Sequence, residues 1–135
     1  MKVLSIKEPF ATLIANNKKK IETRSWKTNY RGILYIHASK SIMSKKYKSR
    51  KELMDVLGND ELNYSKIICK CNLVDCVYMD EDFLKSIKNN RQEYICGEYS
   101  IGRYAWILDD IEILDNPIIA SGKLGIWNYE EDKND

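Results

Sequence analysis

The segment from Asn16 to Gly32, NNKKKIETRSWKTNYRG, concentrates side chains that can bind a polyanion. It holds six cationic residues, a single carboxylate and two aromatic rings within seventeen positions. Lysine and arginine side chains hold phosphate groups, and aromatic rings stack on nucleobases. A loop that needs only solubility does not require the aromatic rings, so the combination points to a ligand-binding surface.

Residues 20–26 within this segment are predicted to form a β-strand with a polar face. Side chains alternate along a strand, so Glu22, Arg24 and Trp26 project to one side and the residues between them to the other. Burial of either charge alone would cost several kcal/mol, so a buried Glu22 and Arg24 would need each other or a ligand. Lys19, in the turn before the strand, could reach the same cavity. The alternative is an exposed Glu22–Arg24 ion pair worth under about 1 kcal/mol, with Trp26 in the core.

A second patch follows directly along the chain. Trp26 and Lys27, and then Tyr30 and Arg31, interleave aromatic and cationic side chains. This pattern is typical of surfaces that stack bases and hold phosphates. We therefore expect Lys19, Lys27 and Arg31 to bind phosphates and a base to stack on Trp26 or Tyr30.

The other elements must position this segment. Further strands are predicted at residues 2–6, 33–38, 66–79, 103–114 and 118–127, with Asn116-Pro117 breaking the chain between the last two. Helices are predicted directly after Pro9, from Ser44 to Leu57, and over residues 81–88 with Asp80 as the cap. Five to seven strands with short helices and no regular βαβ alternation favour an α+β fold with a small, partly closed mixed β-barrel.

The length and composition of the chain predict a single domain. Residues 1–129 should form this domain, and residues 130–135 a disordered acidic tail.

Charge is distributed unevenly along the chain. Residues 1–51 carry 14 Lys or Arg and 2 Asp or Glu, a net +12, whereas residues 52–135 carry 8 and 18, a net −10, which together give the +2 of the chain. A positive surface built by the first part would attract polyanions. The alternative is a chance skew in a lysine-rich chain.

Several function classes are not favoured by the sequence. No apolar run reaches the roughly 18 residues of a membrane span, and the first residues lack the apolar core of a signal peptide, so we expect a soluble cytoplasmic protein with no membrane partner. The four cysteines, Cys69, Cys71, Cys76 and Cys96, lack the paired spacing of a structural zinc site and should be reduced and mostly buried. A Cys69-x-Cys71 metal clip is the weaker alternative, and we expect no metal and no cofactor.

Three stretches together resemble the ASCH family, named for the activating signal cointegrator homology domain and related to PUA-like RNA-binding folds. They are SIKEPFATLI, NKKKIETRSWKTNYRG and LYIHASK, and the resemblance extends to GEYSIGRYAWIL and SGKLGIWNY late in the chain. The family's G-x-K-x-x-E-x-R motif is matched by Asn17, Lys19, Glu22 and Arg24. Asn17 replaces the glycine, and asparagine is the next-best residue at a positive φ, so the turn should be retained.

The resemblance implies a PUA-like β-barrel whose cleft is lined by the motif and binds RNA, another nucleic acid or a nucleoside. In this interpretation Lys19, Glu22, Arg24, Trp26, Lys27, Tyr30 and Arg31 form the binding site. Glu22 and Arg24 organise the cleft, and Glu22 could accept a hydrogen bond from an exocyclic amine.

Two kinds of enzyme are alternatives to a binding module. Some proteins of the resembled family are amidohydrolases that act on acetylated cytidine through a lysine, a threonine and a glutamate. Lys19 matches the lysine, but Glu22 stands at the threonine position and Thr23 would face away from the cleft on a strand. An enzyme of this type would use Lys19 and Glu22 as its catalytic residues. The second alternative is a ribonuclease, for which His37 is the only histidine, although its place in a buried strand favours a structural role.

A third interpretation is a protein-interaction domain. The basic stretch from Lys45 to Lys51 would then contact an acidic partner protein.

Overall fold

Six β-strands and five short helices form the structure, a computed structural model that describes residues 1–130. The strands are β1 (Lys2–Ile6), β2 (Ile21–Arg24), β3 (Gly32–Ala38), β4 (Lys66–Tyr78), β5 (Tyr104–Ile119) and β6 (Ile126–Asn128). The helices are α1 (Phe10–Ala15), α2 (Lys45–Lys48), α3 (Lys51–Leu57), α4 (Glu81–Ile87) and α5 (Arg91–Ile95). Nearly all of the predicted acidic tail, residues 131–135, lies outside the described residues.

All six strands belong to one curled sheet with the order β2-β5-β4-β3-β1-β6. β1 and β3 are parallel, and the other neighbours are antiparallel. Three strands separate β2 from β1 in this order, yet Nη2 of Arg24 on β2 donates a hydrogen bond of 2.7 Å to the carbonyl of Ser5 on β1. The sheet therefore curls until its two sides approach each other. This half-barrel confirms the predicted small α+β fold with a partly closed, mixed β-sheet.

β-Bulges allow the two longest strands to curve. The β4–β5 ladder shifts register at three places, and each bulge bends and twists its strand. At one of them, Ile67 pairs with Ile118 and Cys69 with Ile113, so four residues of β5 lie opposite one residue of β4. Pro117 lies in this irregular stretch, where its missing N–H is not needed by the ladder. The predicted chain break at Asn116-Pro117 is therefore wrong, because β5 continues through it.

The core fills the inside of the curled sheet. All six residues of α1 are buried, and this helix packs against β3, β4 and β5. Trp106 on β5 is the largest fully buried side chain. A smaller cluster on the outer face contains Val3, Ile67 and Trp127. The helix predicted after Pro9 is confirmed, and it serves as the plug of the half-barrel.

The predicted helix from Ser44 to Leu57 is wrong as a single element. It divides into α2 and α3 because Arg50 adopts an extended backbone conformation. The Arg50 guanidinium donates to the Glu98 carboxylate at 3.1 Å and to the carbonyl of Ile95 at 2.8 Å. These contacts tie the junction between the two helices to the segment that follows α5.

Two further differences concern the second half of the chain. Helix α5 was not predicted, although Asn90 caps it by accepting a hydrogen bond from the amide of Glu93 at 3.4 Å, a recognisable start signal. The closing segment over residues 118–127 contributes to two strands, the end of β5 and the start of β6, which irregular residues separate. The cap on α4 is confirmed, since the Asp80 carboxylate accepts a hydrogen bond from the amide of Phe83 at 2.8 Å.

Two predictions of absence concern membranes and metals. Within residues 1–130 no helix has both the length and the apolar character that crossing a membrane requires.

Cys69, Cys71 and Cys96 are buried free thiols, and Cys76 is partly exposed. Burial raises the pKa of the Cys71 thiol to about 12, and its Sγ donates to the carbonyl of Leu34. The described residues contain no cluster of three or more His, Cys, Asp or Glu side chains suited to a metal ion.

Candidate functional site

The curled sheet leaves an open cleft of about 900 Å³ at one end of the half-barrel. Its walls come from β2, from the ends of β1 and β3, and from the segment that links β5 to β6. The polar and aromatic residues that border the cleft include Ser5, Lys7, Lys19, Glu22, Arg24, Trp26, His37, Lys40 and Lys123. The motif residues and distant parts of the chain thus share one cavity.

Lys19 is the innermost cation of the cleft. Asn17 has a φ of 60°, as its replacement of glycine predicts, and the amides of Lys18 and Lys19 both donate to the carbonyl of Leu13. This tight turn directs Lys19 inward, where the residue is 0% exposed. Its Nζ donates to the carbonyl of Cys96 and lies 5.4 Å from the centre of the Phe10 ring. The buried charge therefore has polar and aromatic partners on several sides.

Glu22 links Lys19 to Arg24. The Glu22 side chain is 9% exposed, its Oε1 lies 3.8 Å from Lys19 Nζ, and its Oε2 accepts a hydrogen bond of 3.1 Å from Arg24 Nε. Oε1 also accepts from the amide of Thr23 at 3.1 Å. The three motif side chains converge on the cleft, as strand alternation predicts, and Glu22 and Arg24 do not form an exposed surface pair.

Thr23 differs in part from its predicted orientation. The residue borders the cleft, although alternation places its side chain opposite that of Glu22. Its Oγ1 accepts a hydrogen bond of 3.1 Å from the amide of Glu98, and its carbonyl accepts one from Arg103. The hydroxyl is thus used to attach the segment after α5 to β2.

Trp26 presents an aromatic surface to the cleft. Trp26 is 37% exposed, so it does not occupy a core position, which was the alternative prediction. The ring lies edge-on to the buried Trp106, with 4.8 Å between ring centres, and Trp106 Nε1 donates to the carbonyl of Trp26. The core therefore fixes the position of an indole whose other side is open to a ligand.

The remaining predicted binding residues lie outside the lining of the cleft. The Tyr30 hydroxyl donates to the carbonyl of Ile33. Nη1 of Arg31 donates to the carbonyls of Thr28 and Tyr30 at 3.0 and 2.8 Å, and its Nη2 lies 3.8 Å from the Asp75 carboxylate. Lys27 is exposed in the same turn. The side chains of Tyr30 and Arg31 form hydrogen bonds with nearby backbone carbonyls between residues 28 and 33. The structure therefore does not bring Lys27, Tyr30 and Arg31 together with the motif residues.

Sequence reasoning missed three exposed lysines that border the cleft, Lys7, Lys40 and Lys123. Lys7 directly follows β1 and Lys40 follows β3, and these strands are parallel with Ile6 beside Ala38. Parallel neighbours end at the same edge of a sheet, so both lysines reach the same rim. No local sequence pattern indicates the parallel pairing of β1 and β3 that brings both lysines to the cleft.

His37 and Ser5 form a hydrogen-bonded pair on the same wall. His37 is buried, its Nδ1 lies 2.9 Å from Ser5 Oγ, and its Nε2 lies 2.7 Å from the carbonyl of Ala120. The His37 ring also contacts Trp127 edge-on. The histidine thus packs in the fold, as predicted, but it borders the cleft as well.

A second buried carboxylate lies behind Lys19. Glu93 accepts a hydrogen bond from the amide of Lys20, and burial raises the pKa of its carboxyl group, while the charge of Lys19 acts in the opposite direction. Burial also raises the pKa of the Cys96 thiol. Glu93 does not border the cleft. Its bond to the Lys20 amide supports the turn that positions Lys19.

Comparisons with known proteins agree with the fold. The family model for the ASCH domain matches residues 4–127. The crystal structure of ASCH from Zymomonas mobilis is similar to this chain, with a TM-score of 0.53 and 19% sequence identity. The aligned region covers 87% of this chain and 71% of the Zymomonas mobilis chain. At this identity the likeness shows the fold alone. A comparison with curated proteins gives no match. Since the family match spans nearly the whole length, the chain belongs to the ASCH domain family.

Proposed function

We propose that the cleft binds single-stranded RNA, with the motif residues and the exposed indole of Trp26 at its centre. The observation that supports this most is that one cavity contains both an exposed, fixed aromatic ring and a cationic rim. Single-stranded nucleic acids are held by this combination of stacking and charge. The family assignment supports this proposal, because the ASCH family is related to PUA-like folds and these folds bind RNA.

The charge of the lining favours a polyanion. Six cationic side chains border the cleft, Lys7, Lys19, Arg24, Lys40, Arg103 and Lys123, against the two carboxylates of Glu22 and Glu98. Lys19 and Arg24 are already paired with Glu22, so the exposed Lys7, Lys40 and Lys123 are the side chains best placed for phosphates. Lys19 supports the cleft from within rather than meeting a phosphate at its mouth.

A base would stack on Trp26. Each base stacked on an aromatic side chain contributes about 1–3 kcal/mol by alanine substitution. The Glu22 carboxylate holds the side chains of Lys19 and Arg24 in place. Arg24 in turn donates a hydrogen bond to the carbonyl of Ser5 on the opposite wall of the cleft. Lys27, Tyr30 and Arg31 would contact nucleotides that continue beyond the cleft along the β2–β3 turn.

Salt dependence tests the polyanion part of this proposal. A fluorescein-labelled single-stranded RNA is titrated with the protein and followed by fluorescence anisotropy at several salt concentrations. Three phosphates neutralised by lysines predict a slope of about −2 in log K against log salt, or about a 20-fold loss of affinity between roughly 50 and 200 mM. The same RNA analysed on a gel after incubation reports any cleavage. Association that does not depend on salt, or no association with RNA, would overturn the proposal.

An amidohydrolase on an acetylated cytidine-type nucleoside is the second candidate. It is favoured by a fully buried Lys19 beside a carboxylate on a cleft wall, because a desolvated lysine can act as a base or nucleophile. Acetate release from acetylcytidine would be the readout, and a Lys19→Ala variant should lose it. If no acetate is released while RNA binds, the binding function stands alone.

The basic stretch from Lys45 to Lys51 supports a separate proposal of a protein partner. None of the residues of α2 is buried, and its lysines are exposed. An acidic protein would bind there through charge, and charge reversal at Lys45 and Lys46 would weaken that binding while leaving RNA affinity largely unchanged.

A further inference from the structure

The backbone ladder holds Ser5 and His37 side by side. β1 and β3 pair in parallel with Ser5 opposite His37, so both side chains project from the same face of the sheet. Ser5 Oγ and His37 Nδ1 are 2.9 Å apart. Because two adjacent strands set this spacing, it does not depend on the conformation of a loop.

The surrounding partners fix the direction of the hydrogen bond. The carbonyl of Ala120 can only accept, so Nε2 of His37 carries the proton and donates across 2.7 Å. Nδ1 of the neutral ring is then an acceptor, and the hydroxyl of Ser5 donates to it. Trp127 Nε1 donates to Ser5 Oγ at 3.1 Å, which leaves the second lone pair of that oxygen for other chemistry. The serine proton therefore already points toward a base.

The pair is reached from the cleft. Ser5, His37 and Gly122 all border it, and Gly122 has no side chain to fill the space beside the pair, where a Cβ would be 2.6 Å from Ser5 Oγ and 2.9 Å from His37 Cε1. Arg24 adds a cation beside Ser5 through its bond to the Ser5 carbonyl. A hydroxyl, a base and a group that orients the base are the parts of an activated nucleophile, and Arg24 places a cation near them.

We propose that Ser5 is an acyl-accepting nucleophile with His37 as its general base, which gives this chain an esterase activity on acyl esters whose alcohol portion is anionic. Ser5 Oγ forms a bond to the acyl carbon as its proton passes to His37 Nδ1. The imidazolium is stabilised by its bond to the Ala120 carbonyl, and it gives the proton to the alcohol oxygen as the bond from that oxygen to the acyl carbon breaks. Water then gives a proton to His37 Nδ1 and attacks the acyl carbon of the Ser5 ester. The bond from the acyl carbon to Ser5 Oγ breaks, the carboxylic acid leaves, and His37 returns the proton to Ser5 Oγ. The cationic rim selects the anionic alcohol.

This inference stands apart from the RNA proposal, because neither the pair nor its test requires nucleic acid. A fluorophosphonate probe reacts with a nucleophilic serine by forming a P–O bond and expelling fluoride. Incubation of the full chain with the probe, followed by intact mass measurement and peptide mapping, should give one adduct at Ser5. Ser121→Ala is the matched control, since that exposed serine borders the same cleft, and it should label like wild type.

The variants distinguish a base from a structural partner. Ser5→Ala should abolish the adduct, and His37→Gln should slow labelling by about 100-fold or more, the contribution typical of a general base. Circular dichroism checks that each variant is folded. If His37→Gln does not fold, His37→Asn replaces it and should slow labelling to a similar extent, because neither amide side chain can take the serine proton. No adduct at Ser5 in the wild type, equal labelling of several serines, or a labelling rate that is unchanged when His37 is replaced would overturn the assignment.

Discussion

Replacement of Glu22 by leucine is expected to lower the free energy of unfolding by about 3–5 kcal/mol at neutral pH. The Glu22 carboxylate is almost fully buried and is the only acidic group in salt-bridge contact with Lys19 among the described residues. Its loss leaves a fully buried ammonium with a carbonyl, an aromatic ring and the Glu93 carboxylate, which makes no salt-bridge contact with it, and also removes the partner of Arg24 Nε. Urea unfolding of both proteins, followed by circular dichroism, measures the difference.

Glu112→Leu is the matched control for this prediction. Glu112 also lies on a strand and forms an ion pair, 3.7 Å from Lys70, but its side chain is 69% exposed. Surface pairs contribute under about 1 kcal/mol, so this variant should differ little from wild type. Adding Lys19→Met to Glu22→Leu should recover part of the lost stability, because the unpaired buried charge is then gone. Equal effects of Glu22→Leu and Glu112→Leu would show that the motif does not form a buried ionic network.

Truncation of Trp106 to alanine is expected to destabilise the fold by about 3–5 kcal/mol. The side chain is 0% exposed and is the largest in the core of the half-barrel. Its removal also deletes the edge-on contact with Trp26 and the hydrogen bond to the Trp26 carbonyl. We therefore expect weaker RNA binding as well, measured at a temperature where the variant is still folded.

Trp26→Ala separates the two consequences. Trp26 is 37% exposed, so its truncation should cost less stability than that of Trp106 but remove the stacking surface directly. The expected loss is about 1–3 kcal/mol of binding free energy. If Trp26→Ala destabilises the fold as strongly as Trp106→Ala and leaves RNA affinity unchanged, Trp26 is a core residue and not a stacking platform.

Local patterns were sufficient to predict much of the fold and the centre of the site. Strand alternation and the motif spacing placed Lys19, Glu22 and Arg24 together, because a four-residue strand with a tight turn before it leaves few arrangements for those side chains. Asn17 at a positive φ was likewise a local consequence of residue type. The start of α1 after Pro9 and the cap of α4 at Asp80 followed from residue type for the same reason.

Features that depend on tertiary pairing were not predictable from one sequence. Lys7 and Lys40 join the cleft only because β1 and β3 are parallel neighbours, and Lys123 only because the segment after β5 folds over them. The break at Arg50 depends on a carboxylate 48 positions away in the chain, and the path of β5 through Pro117 depends on a bulge in its pairing with β4. These are long-range contacts that no local pattern encodes.

The proposed RNA-binding surface can be tested with two variants of equal charge. One replaces the cleft lysines Lys7, Lys40 and Lys123 by alanine, and the other replaces Lys2, Lys85 and Lys88, which are exposed but do not border the cleft. Each removes three positive charges, and both are titrated against the same labelled single-stranded RNA at low salt. We predict that the first variant loses affinity by about 10-fold or more while the second stays within about 2-fold of wild type. An equal loss in both would mean that net charge, and not this cleft, binds the RNA.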